Sequence, residues 1–154
     1  MILPIFINLI LCFLIAALSG WVTRKNVKTW YPTLIKPSFN PPAWVFGPVW
    51  SVLYVMIAIV GGILWTQKSQ HPAAFIFYVI QLVLNFSWSF VFFGARQIGW
   101  ALVNIVLLWL SVLVTMVLAF QVSLLAGYLI IPYLLWLSIA TTINASVWKL
   151  NRSR

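Results

Sequence analysis

The chain has 154 residues and contains nine Lys or Arg residues but no Asp or Glu. Apolar residues make up 64% of it and charged residues 6%, whereas soluble domains carry about 25% charged residues of both signs. This composition indicates a protein whose main solvent is lipid. It also excludes carboxylate general bases, carboxylate metal sites, acidic proton relays and salt bridges between side chains.

Five charge-free apolar stretches are long enough to cross a bilayer, which requires about 20 residues per helix. They span roughly 2–22, 44–66, 73–93, 99–121 and 124–148. The connections are too short to form a separate domain. We therefore predict an all-α integral membrane protein, with one five-helix transmembrane domain over 1–154. The first stretch has no basic residues before it, so we expect a retained helix rather than a cleaved signal peptide.

The connection after the first stretch, loop 1 (about 23–43), has a composition unlike that of a flexible tether. Its prolines, Pro32, Pro37, Pro41 and Pro42, fix the backbone angle φ repeatedly and prevent a long helix. It also carries aromatic and apolar side chains that favour burial. We therefore predict that loop 1 is a stiff lid over one mouth of the bundle, with cations suited to the carboxylates of a flat acidic ligand.

The cations are distributed unevenly between the two sides of the predicted bundle. Loop 1, loop 3 and the C-terminal tail share one side, which holds Arg24, Lys25, Lys28, Lys36, Arg96, Lys149, Arg152 and Arg154. The other side holds only Lys68, in loop 2 between the second and third stretches; loop 3 is the connection between the third and fourth stretches. The positive-inside rule then predicts a cytoplasmic C-terminus and an N-terminus outside. Because the cations flank helices and form no soluble patch, we expect contacts with the lipid bilayer and none with nucleic acid.

The chain has one cysteine and one histidine, and they lie far apart in the sequence. Cys12 is in the middle of the first stretch, and His71 is in loop 2. A single cysteine cannot form an intramolecular disulfide, and two distant side chains make no metal-binding cluster. We predict that Cys12 is a small packing residue and that the chain has no metal site.

The ten tryptophans fall mainly into two groups. One group lies at the ends of the apolar stretches, where membrane proteins carry aromatic anchors: Trp21, Trp44, Trp65, Trp100 and Trp148. The other group lies inside the stretches: Trp50, Trp88, Trp109 and Trp136. A buried indole requires a partner for its N–H, so the interior group needs a structural or functional explanation.

Three stretches place aromatic and amide side chains at similar depth beneath loop 1. These residues, each at helical spacing within its own stretch, are Trp50, Tyr54, Gln81, Asn85, Trp88, Phe92, Trp136, Ala140 and Asn144. Two interpretations are open. The amides are interhelical hydrogen-bonding groups, each contributing about 1 kcal/mol or less, and the rings fill volume. Alternatively, these faces line an apolar cavity with a few polar fixtures, which is typical of a small-molecule site.

Specific motifs accompany this pattern. Loop 1 and the second stretch contain Trp30-Tyr31, Lys36-Pro37, Pro41-Pro42, Phe46, Trp50 and Leu53-Tyr54. Further along are Gln81-Leu82, Leu84-Asn85, Trp88-Ser89, Phe92-Phe93-Gly94, Pro132-Tyr133, Trp136 and Ala140-Thr141-Thr142-Ile143-Asn144. In this order, and over the whole chain, these motifs resemble the TspO/MBR family of tryptophan-rich sensory proteins and translocator proteins, also called peripheral-type benzodiazepine receptors.

The resemblance implies a five-helix bundle, usually a homodimer, with a pocket beneath loop 1. It implies that protoporphyrin IX, haem and isoquinoline or benzodiazepine compounds are ligands, with no cofactor required. The implied pocket residues are Tyr31, Pro41, Trp50, Asn85, Trp88, Trp136, Ala140 and Asn144. The sterol motif proposed for the family needs a Tyr before a basic residue; Ala145 replaces it here, ahead of Lys149, which argues against avid cholesterol binding.

Three functions are compatible with the sequence. The first is a receptor or carrier for tetrapyrroles in the bacterial inner or plasma membrane. The second, implied by the resemblance, is an enzyme that degrades porphyrin with light and oxygen, in which Trp50 and Trp136 are the catalytic residues. The third is a regulatory membrane partner, and Ala16 and Gly20 offer a close-packing face either for dimerisation or for packing within the bundle.

Overall fold

The structure is a computed structural model that describes residues 2–153, and no strand occurs in that range. Its helices are α1 (Ile2–Thr29), α2 (Ala43–Thr66), α3 (Pro72–Ser89, followed by a π-helical turn over Phe90–Gly94), α4 (Ile98–Val122) and α5 (Leu124–Asn151). Each is long and apolar enough to cross a bilayer when the π-helical turn is counted with α3. The predicted all-α bundle of five membrane-spanning helices is confirmed.

The first helix is longer than the sequence pattern predicts. The predicted stretch ended at the first cations, whereas α1 has 28 residues and is about 42 Å long. Arg24, Lys25 and Lys28 are therefore not in loop 1, as predicted, but on the last two turns of α1, where they are exposed. Long basic side chains reach the polar headgroups, so a helix can continue beyond the hydrocarbon core, which is about 30 Å thick. Loop 1 is reduced to residues 30–42.

The helix ends follow from local sequence. α1 stops shortly before Pro32, and a single 3₁₀ turn over Tyr31–Thr33 begins loop 1. α3 begins at Pro72, directly after loop 2. The first N–H groups of a helix have no partner within it, so the N–H that proline lacks costs no hydrogen bond there. Ser123 alone separates α4 from α5, and its hydroxyl oxygen accepts a hydrogen bond from the Ala126 backbone N–H at 3.5 Å.

The helices pack as a closed ring in the order α1, α2, α5, α4 and α3. One end of this ring carries loop 1, loop 3 and the C-terminus of α5; we call it the loop 1 half. The other end carries loop 2 and the junction between α4 and α5; we call it the loop 2 half. The two halves are packed in different ways.

In the loop 2 half, small residues bring helix backbones together. The Tyr78 hydroxyl of α3 donates to Asn8 Oδ1 of α1 at 2.9 Å, and this bond passes directly over Gly61 of α2. A Cβ atom added at Gly61 would overlap both partners, and one at Gly62 would overlap Ile5. Close approach of this kind is the usual way in which helices associate in lipid, where the hydrophobic effect does not draw them together.

Candidate functional site

A hydrogen-bond network joins α2, α3 and α5 in the interior of the bundle. The Tyr54 hydroxyl donates to Asn85 Oδ1 at 2.8 Å, and Asn85 Nδ2 donates to the Tyr133 hydroxyl oxygen at 2.7 Å. The Tyr133 hydroxyl donates in turn to Gln81 Oε1 at 3.0 Å. All four side chains are buried, and these bonds satisfy polar groups that are costly to bury in an apolar interior. The network fixes how the three helices are rotated about their axes.

An aromatic group between α2 and α5 adjoins this network. We call it the inner group: Phe46, Trp50, Tyr54, Tyr133 and Trp136. The centroid of the Trp50 ring lies 5.4 Å from that of Tyr54 and 6.2 Å from that of Tyr133. Phe46 meets Trp136 edge to face at 5.6 Å. The two tyrosines are buried, whereas Trp50 and Trp136 are partly exposed, so both indoles keep surface that another molecule can contact.

A second aromatic group fastens loop 1 to the end of α3. We call it the lid group: Trp30, Tyr31, Trp88, Phe92 and Phe93. Trp88 stacks on Phe92 at 4.9 Å with 23° between the ring planes, and Tyr31 lies 5.7 Å from Phe93. Phe92 and Phe93 are consecutive and yet both buried, in the π-helical turn. Such turns are frequent at functional sites, and here the turn directs two neighbouring rings towards loop 1.

The interior tryptophans differ in whether their indole N–H has a partner. Trp88 Nε1 donates to Asn144 Oδ1 at 3.0 Å, and Trp109 Nε1 donates to Ser138 Oγ at 2.8 Å. Trp136 Nε1 is buried and has no hydrogen-bond partner among residues 2–153. Because buried donors are almost always satisfied in folded proteins, the Trp136 N–H is a donor available to a bound molecule.

Loop 1 is held in shape by its own polar contacts. The Tyr31 hydroxyl donates to Asn40 Oδ1, and Asn40 Nδ2 donates to the Pro41 carbonyl oxygen, both at 3.3 Å. Lys36 Nζ donates to the carbonyl oxygens of Tyr31 and Leu34 at 3.0 and 2.9 Å and lies 4.9 Å from the centre of the Tyr31 ring. Burial raises the pKa of the Tyr31 phenol above its usual value, and the hydrogen bond to Asn40 opposes part of that rise. Lys36 thus stabilises the lid itself.

The structure divides the predicted site residues between the two groups. Trp50 and Trp136 belong to the inner group, and Asn85 hydrogen-bonds to two of its tyrosines. Tyr31 and Trp88 belong to the lid group. Asn144 is bonded to Trp88, Pro41 is tied to Tyr31 through Asn40, and Ala140 packs against the main core. Trp88 packs against buried residues of the main core and also against the smaller buried cluster that contains Phe92 and Phe93. It therefore connects the inner group and the lid group.

The sequence pattern missed several rings that complete the site. These are Trp30, Phe46, Phe93 and Tyr133; Phe92 was predicted, by its helical spacing, to lie on the same face as Trp88. Tyr133 had a detectable signal, because it precedes Trp136 by three residues and so lies on nearly the same helical face. Phe93 had none, because consecutive residues of a regular helix point about 100° apart and only the π-helical turn buries Phe93 together with Phe92.

Below the inner group lies a small cavity of about 10 Å³. Its lining includes Tyr78, Gln81, Thr115 and Tyr133, together with aliphatic side chains. This volume is close to the minimum that holds one water molecule. The cavity is therefore too small for an organic ligand, and a ligand near Trp50 and Trp136 must displace rings that now contact one another.

The fold and the site define a class of protein: an integral membrane protein of five helices with an aromatic interior and a proline-rich loop packed against the end of α3. The model of the TspO/MBR family matches residues 8–149. The chain therefore belongs to the TspO/MBR family, and the resemblance seen in its motifs is confirmed.

Individual relatives agree with this membership over most of their length. The chain is 39% identical over 145 residues to the tryptophan-rich protein TspO of Chlorobaculum tepidum, which covers 92% of this chain and 91% of the relative. It is 44% identical over 128 residues to the human translocator protein, covering 79% and 75%. It is 37% identical over 148 residues to the tryptophan-rich sensory protein of Cereibacter sphaeroides, covering 95% and 93%.

Proposed function

We propose that the protein is a membrane receptor or carrier that binds planar tetrapyrroles, such as protoporphyrin IX or haem, between the inner group and the lid group. The observation that carries the proposal is the pair Trp50 and Trp136, two partly exposed indoles of the loop 1 half, one of which has a buried N–H without a partner among residues 2–153. A tetrapyrrole offers a flat apolar face to the rings and polar atoms to the N–H.

Binding requires the aromatic rings to rearrange. The rings of the inner group contact one another at centroid separations of 5.4 to 6.2 Å, so a macrocycle enters only if Phe46 or Trp136 turns aside. Each lost ring pair costs about 0.5–1.5 kcal/mol, and a large conjugated ligand replaces it with a larger contact. The gain comes from apolar burial and stacking, at about 25 cal/mol for each Å² removed from water.

The ligand carboxylates face a surface that has cations and no side-chain carboxylates. Lys36 is used within loop 1, so we assign the carboxylates to exposed cations at the same end of the bundle. Lys28 lies on the last turn of α1, two residues before loop 1, and Arg152 lies at the end of α5, 5.6 Å from the Trp148 ring. Such exposed charges steer and orient a ligand more than they tighten its binding.

The test is a titration of the purified protein with protoporphyrin IX in lipid nanodiscs, followed by tryptophan fluorescence and porphyrin absorbance. Wild type should show saturable quenching. Trp50→Phe and Trp136→Phe should each raise the Kd about tenfold, because each substitution removes contact area and Trp136→Phe also removes the N–H donor.

The matched control is Trp65→Phe. Trp65 is a partly buried indole of α2 that packs edge to face on Phe75 at 5.8 Å in the loop 2 half. The Trp65→Phe variant should bind protoporphyrin IX with the same Kd as wild type. Absence of saturable quenching in wild type, or equal loss of affinity in all three variants, would remove the proposal. Repeating the titration under illumination separates binding from degradation, because a product formed only when Trp50 and Trp136 are present would assign the chain to the enzymatic class.

We also propose that the N-terminus faces outward and that loop 1 and the C-terminus are cytoplasmic. The support is the cation distribution, in which Lys68 is the only Lys or Arg in loop 2 or at the short junction of α4 and α5. A reporter enzyme that is active only in the cytoplasm should work when fused after Arg154 and fail when fused before Met1. The reverse pattern would refute the orientation.

A further inference from the structure

The middle of loop 1 is attached to the last residue of α5 by a two-way contact. The Ile35 backbone N–H donates to Asn151 Oδ1 at 3.1 Å, and Asn151 Nδ2 donates to the Ile35 carbonyl oxygen at 2.9 Å. The two residues are 116 positions apart in the chain. The side-chain amide thus pairs with both backbone groups of one residue, as a neighbouring β-strand would.

A primary amide is suited to this contact because it offers an acceptor and two donors on one planar group. The second N–H of Asn151 donates to the Val147 carbonyl oxygen at 2.7 Å, within the last turn of α5. That bond orients the Asn151 amide independently of loop 1. A carboxylate in the same place would keep the acceptor for the Ile35 N–H, but it would set a second oxygen against the Ile35 carbonyl.

The segment around Ile35 moves as one piece if it moves at all. Lys36 Nζ donates to the carbonyl oxygens of Tyr31 and Leu34, and the Leu34 N–H donates to the Tyr31 carbonyl oxygen at 3.3 Å. Residues 31–36 are therefore joined to one another by hydrogen bonds. The contact with Asn151 joins this unit to α5, the helix that also carries Trp136. Both of its bonds are exposed, so water can replace them at modest cost.

We propose that Asn151 is a positioning residue that latches loop 1 shut and thereby sets the rate at which ligand enters and leaves the site. This inference rests on the proposed function, since it assigns regulation to the same pocket. A latch that is present with and without ligand changes the opening equilibrium in both states. Its loss therefore raises the association and dissociation rate constants together and leaves the Kd nearly unchanged.

The experiment compares wild type with Asn151→Asp and Asn151→Leu in lipid nanodiscs. In the absence of ligand, hydrogen–deuterium exchange at the backbone amides of residues 31 and 33–36 should accelerate about tenfold in both variants, because Asn151→Leu loses both water-accessible hydrogen bonds and Asn151→Asp replaces one of them with repulsion between two oxygens. In stopped-flow mixing with protoporphyrin IX, both rate constants should rise about tenfold, with the Kd within about twofold of wild type.

Ser153→Ala is the matched control, because Ser153 is exposed two residues beyond Asn151. It should behave like wild type in both measurements. Unchanged exchange of residues 31 and 33–36 in both Asn151 variants would overturn the latch, and so would a raised Kd without faster dissociation, which would make Asn151 a determinant of affinity. If wild type does not bind protoporphyrin IX, the proposed function fails, while the exchange measurement still decides whether the latch exists.

Discussion

The two halves of the bundle are packed with different residues, small ones in the loop 2 half and large aromatic ones in the loop 1 half. In the loop 2 half, Gly62 lets the backbone of α2 approach that of α1 at Ile5, and Gly61 leaves room for the hydrogen bond between Tyr78 and Asn8. In the loop 1 half, large rings fill the space, and two of them, Trp50 and Trp136, stay partly exposed. Contacts between backbones cannot open without separating helices, whereas rings can turn. The comparison therefore supports the proposal that the loop 2 half stabilises the bundle and the loop 1 half binds ligand.

The largest effect should come from filling the space that Gly61 leaves for the buried hydrogen bond between Tyr78 and Asn8. Gly61→Ala places a Cβ atom against Tyr78 and Asn8, so we expect a loss of about 2–3 kcal/mol in the free energy of unfolding. The measurement is far-UV circular dichroism during titration with a denaturing detergent. Gly20→Ala is the control, because nothing lies within 4 Å of its added Cβ, and its change should stay within about 0.5 kcal/mol. Equal losses in the two variants would contradict this account of the loop 2 half.

A smaller effect separates two tyrosines at the border between the halves. Tyr133 makes two hydrogen bonds and Tyr54 makes one, all within the buried network. Tyr54→Phe should cost about 0.6 kcal/mol and Tyr133→Phe about twice that, because interhelical hydrogen bonds in membranes average about 0.6 kcal/mol. The same detergent titration measures both. If Tyr54→Phe costs as much as Tyr133→Phe, the network does not act through these bonds.

The smallest effect distinguishes two tryptophans of the loop 1 half. Trp88→Phe removes the bond to Asn144 and leaves a buried amide oxygen without that donor, whereas Trp136→Phe removes a donor that has no partner among residues 2–153. We expect Trp88→Phe to be the more destabilising by about 0.5 kcal/mol, because one interhelical hydrogen bond is lost. The difference in free energy of unfolding between the two variants is the test, and a larger loss for Trp136→Phe would show that its indole is primarily structural.

The spanning helices were predictable because lipid imposes their length and composition. The anchor tryptophans were predictable for the same reason: Trp44 and Trp100 are 74% and 69% exposed near the starts of α2 and α4, and Trp21 is 74% exposed about two turns before the end of α1. The end of α1 was not predictable from charge, because cations at a helix end do not stop the helix. Proline does restrict the backbone, and α1 stops shortly before Pro32.

The site was predictable only within single helices. Helical spacing placed Gln81, Asn85 and Trp88 on one face of α3, and the structure shows all three hydrogen-bonded. Their partners on other helices depend on the order of helices around the ring, which no local pattern specifies. The contact between Ile35 and Asn151 is the extreme case, because it joins residues 116 positions apart through one amide.

The central claim is that ligand binds in the loop 1 half and leaves the loop 2 half undisturbed. The most direct test is nuclear magnetic resonance of the ¹⁵N-labelled indole N–H groups in nanodiscs, assigned by single Trp→Phe variants, before and after addition of protoporphyrin IX. A porphyrin ring shifts nearby signals strongly, so the account predicts large shifts for Trp50, Trp88 and Trp136 and an unchanged signal for Trp65. A shift at Trp65 with the other three unmoved would contradict it.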